Sequence, residues 1–276
     1  MYLPDPRDYQ ILFLTFFLLL GMAERGWTFH PEALFILMLA CLGTQVFLSQ
    51  FISRLQAEHN PTLLNCKSAL ITALGLCLLL RSAHWSTLAI AGVLAISSKF
   101  LLRVEKKHVF NPANFGIIAV LTCTQDAWVS PGQWGEESGY VLLFLGLGGL
   151  ILKKVGRWDT TAMFLGSYAL LEIIRNVYLG WSGDVVFHRL TSGSLLLFAF
   201  FMITDPRSIP NSCGARLVWA IGLAVLTFML RNQFFISSAP FLALFMLSPV
   251  TILLDRYWQA PRFTWVGTSQ LTLSGH

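Results

Sequence analysis

The chain has 276 residues, of which 55% are hydrophobic and only 12% charged. Soluble domains approach a quarter charged residues, so an ordinary soluble globule is excluded. The net charge of +5 sits in short loops between apolar blocks, which argues for a bilayer partner and against nucleic acid.

The blocks read as an all-α polytopic membrane protein of about ten transmembrane helices, one membrane domain over 1–276. The opening MYLPDPRDYQ lacks a signal-peptide pattern, so the first run, Tyr9 to Met22, is expected to stay as a span. The second runs from Leu34 to Phe51, the third from Ala69 to Leu80, and the fourth from Leu88 to Leu102. The fifth begins at Asn111-Pro112 and ends at Cys123; the sixth is Tyr140 to Leu152 and the seventh Thr160 to Ile174. The eighth, within His188 to Ser208, has only a short apolar stretch, Leu195 to Thr204. A run that short, with a polar Gly-containing mouth, suits a helix starting inside a membrane pocket. The ninth is Leu217 to Leu230 and the tenth Pro240 to Leu254, leaving a short tail, 256–276. The aromatic segment Ala127 to Tyr140 is expected along the outer interface.

Alternate loops differ sharply in charge. One set carries Lys and Arg from Arg54 and Lys67 through Arg103, Lys153, Lys154 and Arg207 to Arg262. The other carries Arg25, Arg81, Arg175, Arg189 and Arg231 and the acidic stretch from Asp126 to Glu137. Ten crossings with both termini cytoplasmic explain that asymmetry. Ser68 to Leu70 and Ser192 to Ser194 open the third and eighth spans, about 125 residues apart. Phe100 to Arg103 is echoed by Phe228 to Arg231. The spans therefore form two inverted five-helix repeats, about 9–124 and 139–255, with a central site between them.

Two helix mouths are candidate ligand sites. In HVFNPANFG, Asn111 suits an N-cap and Pro112 the first helical turn, while Asn114 and Gly116 face inward or allow close approach. The mouth could bind a polar ligand or be a plain cap with a packing glycine. Thr191, Ser192, Gly193 and Ser194 carry the same alternatives: a site for a phosphate, flavin edge or carbonyl, or a cap with small-residue packing. Asp205 and Arg207 leave the eighth span as a candidate pair. Glu172 is expected to pair with Arg175 on one helix face, and Lys99 to snorkel to the interface. The five cysteines show no Cys-x-x-Cys spacing, which argues against a zinc or iron–sulfur site within this chain, and no catalytic triad or P-loop pattern occurs.

FNPANFG, SGS followed by AFFMITDPRS, and the third-span string Ser68 to Thr72 together resemble the RnfD/NqrB membrane subunits of ion-pumping redox complexes. The resemblance runs from about Ser68 to Asp255 and implies a fold similar to urea transporters, with flavin or quinone between the repeats. That family attaches FMN to a Thr in a motif like Asp-x-x-Ser-Gly-Ala-Thr. Here the Thr position falls on Leu195, the Ala on Ser194 and the Asp on Arg189. Leu195 has no hydroxyl, so the resemblance implies noncovalent flavin (FMN or riboflavin) or quinone rather than covalent FMN. The departures look like a divergent, UnbU-type branch. The resemblance further implies other membrane or periplasmic redox subunits as partners. The alternatives are a carrier of a small polar solute or vitamin, or a cofactor-free membrane anchor.

Overall fold

A computed structural model describes residues 5–24, 31–56, 66–105, 107–129 and 138–263. The stretch 130–137 of the expected outer loop and the tail 264–276 lie outside those residues. The described chain is mostly helical: α1 (Pro6–Glu24), α2 (Pro31–Gln56), α3 (Cys66–Leu79), α4 (Trp85–Leu101), α5 (Pro112–Cys123), α6 (Ser138–Val155) and α7 (Trp158–Leu179). There follow α8 (Gly183–Leu190), α9 (Gly193–Leu197), a π-helical turn Phe198–Met202, α10 (Cys213–Asn232), α11 (Ala239–Leu247) and α12 (Val250–Tyr257). Two small antiparallel ribbons join helix ends: β1 (Leu80–Ser82) pairs with β4 (Ala127–Val129), and β2 (Arg103–Val104) with β3 (Lys107–His108). A reading based on apolar runs has no signal for ribbons this short.

Among the described residues two helices, α2 over Pro31–Arg54 and α10, are each long and apolar enough to cross a membrane. Two bent pairs, α8 with the run Gly193–Met202 and α11 with α12, raise the number to four if each is one span. Each pair bends by 48°. The second break falls at Ser248-Pro249, where proline removes a donor and crowds the preceding turn. Within the apolar helices, several hydroxyls bond their own backbone: Thr72 donates to the Ser68 carbonyl, Thr122 to that of Ile118, and Ser248 to that of Leu244.

Small residues set the tightest approaches. A Cβ on Gly116 of α5 would lie 2.6 Å from the Ala91 carbonyl oxygen of α4. One on Gly148 of α6 would lie 2.6 Å from the Phe200 ring, and one on Gly92 of α4 would lie 3.0 Å from Ala40 of α2. Backbones thus approach where lipid offers no hydrophobic drive of its own. Around these contacts α4 lies against α2 and α5, while α10 lies against α7 and α11. Likewise α1 packs on α3, and α6 on the α9–π run. Phe17 of α1 stacks on Phe144 of α6 at 4.4 Å and meets Phe201 edge-on at 5.9 Å.

At the centre α5 and α11 run antiparallel. Phe110, just before α5, stacks on Phe245 at 4.8 Å, and Asn114 Nδ2 donates to the Phe241 carbonyl at 3.1 Å. One face of the molecule collects both ends of the described chain: Lys154 lies over the Tyr9 ring and Arg157 over that of Phe263. The same face holds Lys67 with Asp5 and Asp8, and Lys107 with Asp255. The opposite face holds the β1–β4 ribbon, where Asp126 accepts from the Ser82 and Thr87 hydroxyls.

Candidate functional site

The two predicted mouths lie at opposite ends of the Gly193–Met202 run, roughly 14 Å apart at 1.5 Å per residue. The first belongs to α5. Asn111 is the N-cap, as its position before Pro112 predicts: its Oδ1 accepts from Asn114 N at 3.1 Å. Pro112 opens the helix where no N–H needs a partner. The Asn111 side chain also reaches across the molecule, Nδ2 donating to the Met202 carbonyl at 3.2 Å. Met202 closes the π turn, whose wider bonding, Ile203 N to the Phe198 carbonyl, disturbs the regular ladder at this contact.

Asn114 is fully buried, and its Oδ1 has no hydrogen-bond partner. A buried amide oxygen left unpaired costs about 1–3 kcal/mol, so it is an acceptor waiting for a donor. Phe110, Phe115 and Phe245 form an aromatic group beside it. Gly116 is explained by the close α4 approach alone.

Asp205 and Arg207 come to this same mouth. Asp205 Oδ1 accepts from its own turn, from Arg207 N at 3.1 Å. Around them stand Lys99, Arg103 and His108, all within electrostatic reach of Arg207. Lys99 does not snorkel: it is 5% exposed, and its ammonium donates to Gln45 Oε1 at 2.8 Å. Packing of α4 on α2 shuts the route to the interface that its sequence position suggests. Burial pushes the His108 imidazole down to about 2, with Arg207, Arg103 and Lys99 adding repulsion. His108 therefore stays neutral at any working pH.

The second mouth is less open to a ligand. Thr191 Oγ1 donates to the Phe187 carbonyl at 2.8 Å, and the Ser192 and Ser194 hydroxyls meet at 3.1 Å. Gly193, Ser194 and Leu195 are buried, Leu195 at 2% exposure. The nearby charge pair differs from the expected Glu172–Arg175. Arg189 binds Glu172 at 3.0 Å and also Asn232 Oδ1 at 2.6 Å, while Asn232 Nδ2 donates back to Glu172 at 2.9 Å. Arg175 instead lies over Trp181 at 4.7 Å. The partners are brought together by α8 and the end of α10, which no spacing along α7 reveals. The isolated charges inside apolar runs were the available signal. Among the described residues, no group of three His, Cys, Asp or Glu side chains could hold a metal ion.

A family model for the NQR2, RnfD, RnfE family matches residues 120–264. Among curated proteins, the chain is 29% identical to a subunit of the proton-translocating ferredoxin:NAD(+) oxidoreductase complex of Clostridium ljungdahlii, over 65% of this chain and 54% of that one. It is 34% identical to a subunit of the ion-translocating oxidoreductase complex of Halorhodospira halophila, over 48% of this chain and 37% of that one. The corresponding protein of Ectopseudomonas mendocina, also named as belonging to an ion-translocating oxidoreductase complex, is 26% identical, over 76% of this chain and 78% of its own. Against the first two, the chain spans about half their length or less.

Proposed function

The chain belongs to the NQR2, RnfD, RnfE family, and from that membership we propose that it is an electron-transport subunit of a bacterial membrane oxidoreductase complex. The observation that carries the reading is the family match over residues 120–264, which takes in the second mouth, the π turn and Arg207. Relatives named as subunits of ion-translocating complexes support other membrane or periplasmic redox subunits as partners.

The proposed architecture is one membrane domain of about ten crossings in two inverted, urea-transporter-like repeats. The antiparallel α5 and α11 support it, as does the matched packing of α2 on α4 and α7 on α10. The face joining Tyr9 to Phe263 carries Lys67, Arg103, Lys107, Lys153 and Arg262, and the opposite face Arg81, Arg175 and Arg231. That imbalance supports cytoplasmic termini in the inner membrane.

The ligand proposed is a flavin, FMN or riboflavin, or a quinone, held noncovalently at the α5 mouth. A covalent phosphoester does not fit Leu195, which stands at the family's attachment position and offers only hydrocarbon. The α5 mouth fits better: Asn114 Oδ1 is a buried, unpaired acceptor for an imide N–H or a hydroquinone O–H. The Arg207 guanidinium supplies donors for ring carbonyls, and Phe110, Phe115 and Phe245 supply an aromatic wall. When bound, either group would take up and release electrons there. The chain's own part is to orient the ring through Asn114 and to exclude water with the aromatic wall.

The experiment is a titration of the protein in mild detergent with riboflavin, FMN and a short-chain quinone, read by quenching of flavin fluorescence or of tryptophan. Saturable binding that weakens in Asn114→Leu supports the reading. Failure of all three ligands to bind would leave the solute carrier and the cofactor-free anchor.

A further inference from the structure

The charge at the α5 mouth does not balance. Lys99, Arg103 and Arg207 are three cations in mutual reach, and Asp205 is the one carboxylate among the described residues that offsets them there. The two guanidiniums alone outnumber the one carboxylate, and the Lys99 amino group adds a further donor beside them. The neighbouring acids are already engaged. Asp5 binds Arg7, Asp255 binds Lys107 and the Asn211 amide, Glu105 binds Arg262, and Asp159 binds Arg216. His108 is neutral and relieves nothing.

The cations also keep donors in hand. Arg103 spends Nε on the Lys99 carbonyl and lies 5.0 Å over the Phe100 ring. Its two terminal amino groups make no hydrogen bond among the described residues, and neither does the Arg207 side chain. Lys99 gives one of its three protons to Gln45. Both arginines are only partly exposed, so water screens the excess poorly. Uncompensated charge in such a place is costly unless a counter-charge is bound. Two planar guanidinium forks and an ammonium match an oxyanion with several equivalent oxygens. The α5 N-terminus adds favourable potential beside them.

We infer that Lys99, Arg103 and Arg207 form a phosphoryl-binding site at the mouth of α5, filled by the headgroup of an anionic phospholipid or by a free phosphate compound. The site stands whether or not a flavin ring binds at Asn114. A flavin would add only one further source of the same group, the phosphate of FMN.

The test uses the full-length protein in a neutral detergent, stripped of lipid, with binding read as a rise in thermal midpoint and by native mass spectrometry. The probes are inorganic phosphate against chloride at matched ionic strength, and phosphatidylglycerol against phosphatidylcholine. Wild type is expected to be stabilised saturably by phosphate, phosphatidylglycerol or both. Arg103→Gln and Arg207→Gln are each expected to weaken that binding about tenfold or more, the loss of a charge-assisted pair. Arg256→Gln, exposed on α12, serves as the control and is expected to leave it within about twofold. Stabilisation by phosphatidylglycerol alone identifies the headgroup as the source; stabilisation by phosphate alone identifies a soluble compound. Should a Gln variant fail to fold, Arg207→Lys keeps the charge and loses the fork, with an intermediate affinity expected. No saturable effect of either probe on wild type, or equal affinity in the arginine variants, would overturn the inference. Flavin colour plays no part in these readouts, so failure here and failure of the proposed function are separable.

Discussion

Arg189→Leu tests the electrostatic account of the second mouth. Glu172 is 2% exposed in side chain, and it is held by Arg189 at 3.0 Å and by Asn232 at 2.9 Å. Removing Arg189 leaves a carboxylate in a low-dielectric site with only neutral neighbours to hold it, the Asn232 amide and the Tyr168 hydroxyl. Breaking a buried pair from one side costs about 3–5 kcal/mol. Because the Arg189 side chain keeps 23% exposure, the lower end, about 3 kcal/mol, is expected. Glu172→Gln in the same chain removes the orphaned charge, so the double variant should regain about half or more of that loss. The assay is unfolding in mixed detergent micelles, followed by tryptophan fluorescence, with a double-mutant cycle over the two positions. The reasoning is refuted if Arg189→Leu lies within about 0.5 kcal/mol of wild type, or if the two changes simply add.

Three further outcomes are expected. Gly116→Ala should destabilise by about 1–3 kcal/mol, because its Cβ would lie 2.6 Å from the Ala91 carbonyl oxygen, whereas Gly146→Ala, with nothing within 4 Å, should be neutral or slightly stabilising; the same unfolding assay compares them. Asn111→Ala should cost about 2 kcal/mol, combining the lost α5 cap with an unpaired Met202 carbonyl, and Asn111→Asp should recover the cap alone. His108 ionises near 6.5 when unfolded and at about 2 when folded, so the unfolded chain binds the extra proton below about pH 6.5. Stability should therefore fall by about 2 kcal/mol between pH 7 and pH 5, and His108→Phe, measured at both pH values, should flatten that part of the slope.

How much was legible in the sequence differs from element to element. Long apolar runs such as Leu34 to Phe51 mark α2, because a bilayer demands continuous hydrocarbon and the backbone then satisfies itself as a helix. The Asn111 cap was legible as well, since capping is a local matter of one side chain and the amide three residues on. The tenth run, read as unbroken from Pro240 to Leu254, instead bends at Pro249, whose ring disrupts the helix ladder within it. The exchange of Arg175 for Arg189 as the partner of Glu172 was not legible, because it depends on where α8 folds back. Lys99 illustrates the same limit: nearness to a helix end suggests snorkelling, and only the packing of α2 supplies Gln45. The π turn at Phe198–Met202 has no residue signature of its own; it is a compromise among neighbours, Asn111 and Gly148 among them.

The central claim, a family member that holds its redox group without a covalent bond, meets its most direct test in the intact mass of the purified protein. The protein would be isolated in mild detergent, its absorbance recorded before and after denaturation, and its mass compared with that of the bare chain. An unmodified mass is expected and, for a flavin ligand, a yellow colour that leaves with the denatured supernatant. A mass increased by a covalently attached FMN would contradict the reading of Leu195 and place the attachment on a neighbouring hydroxyl such as Ser194.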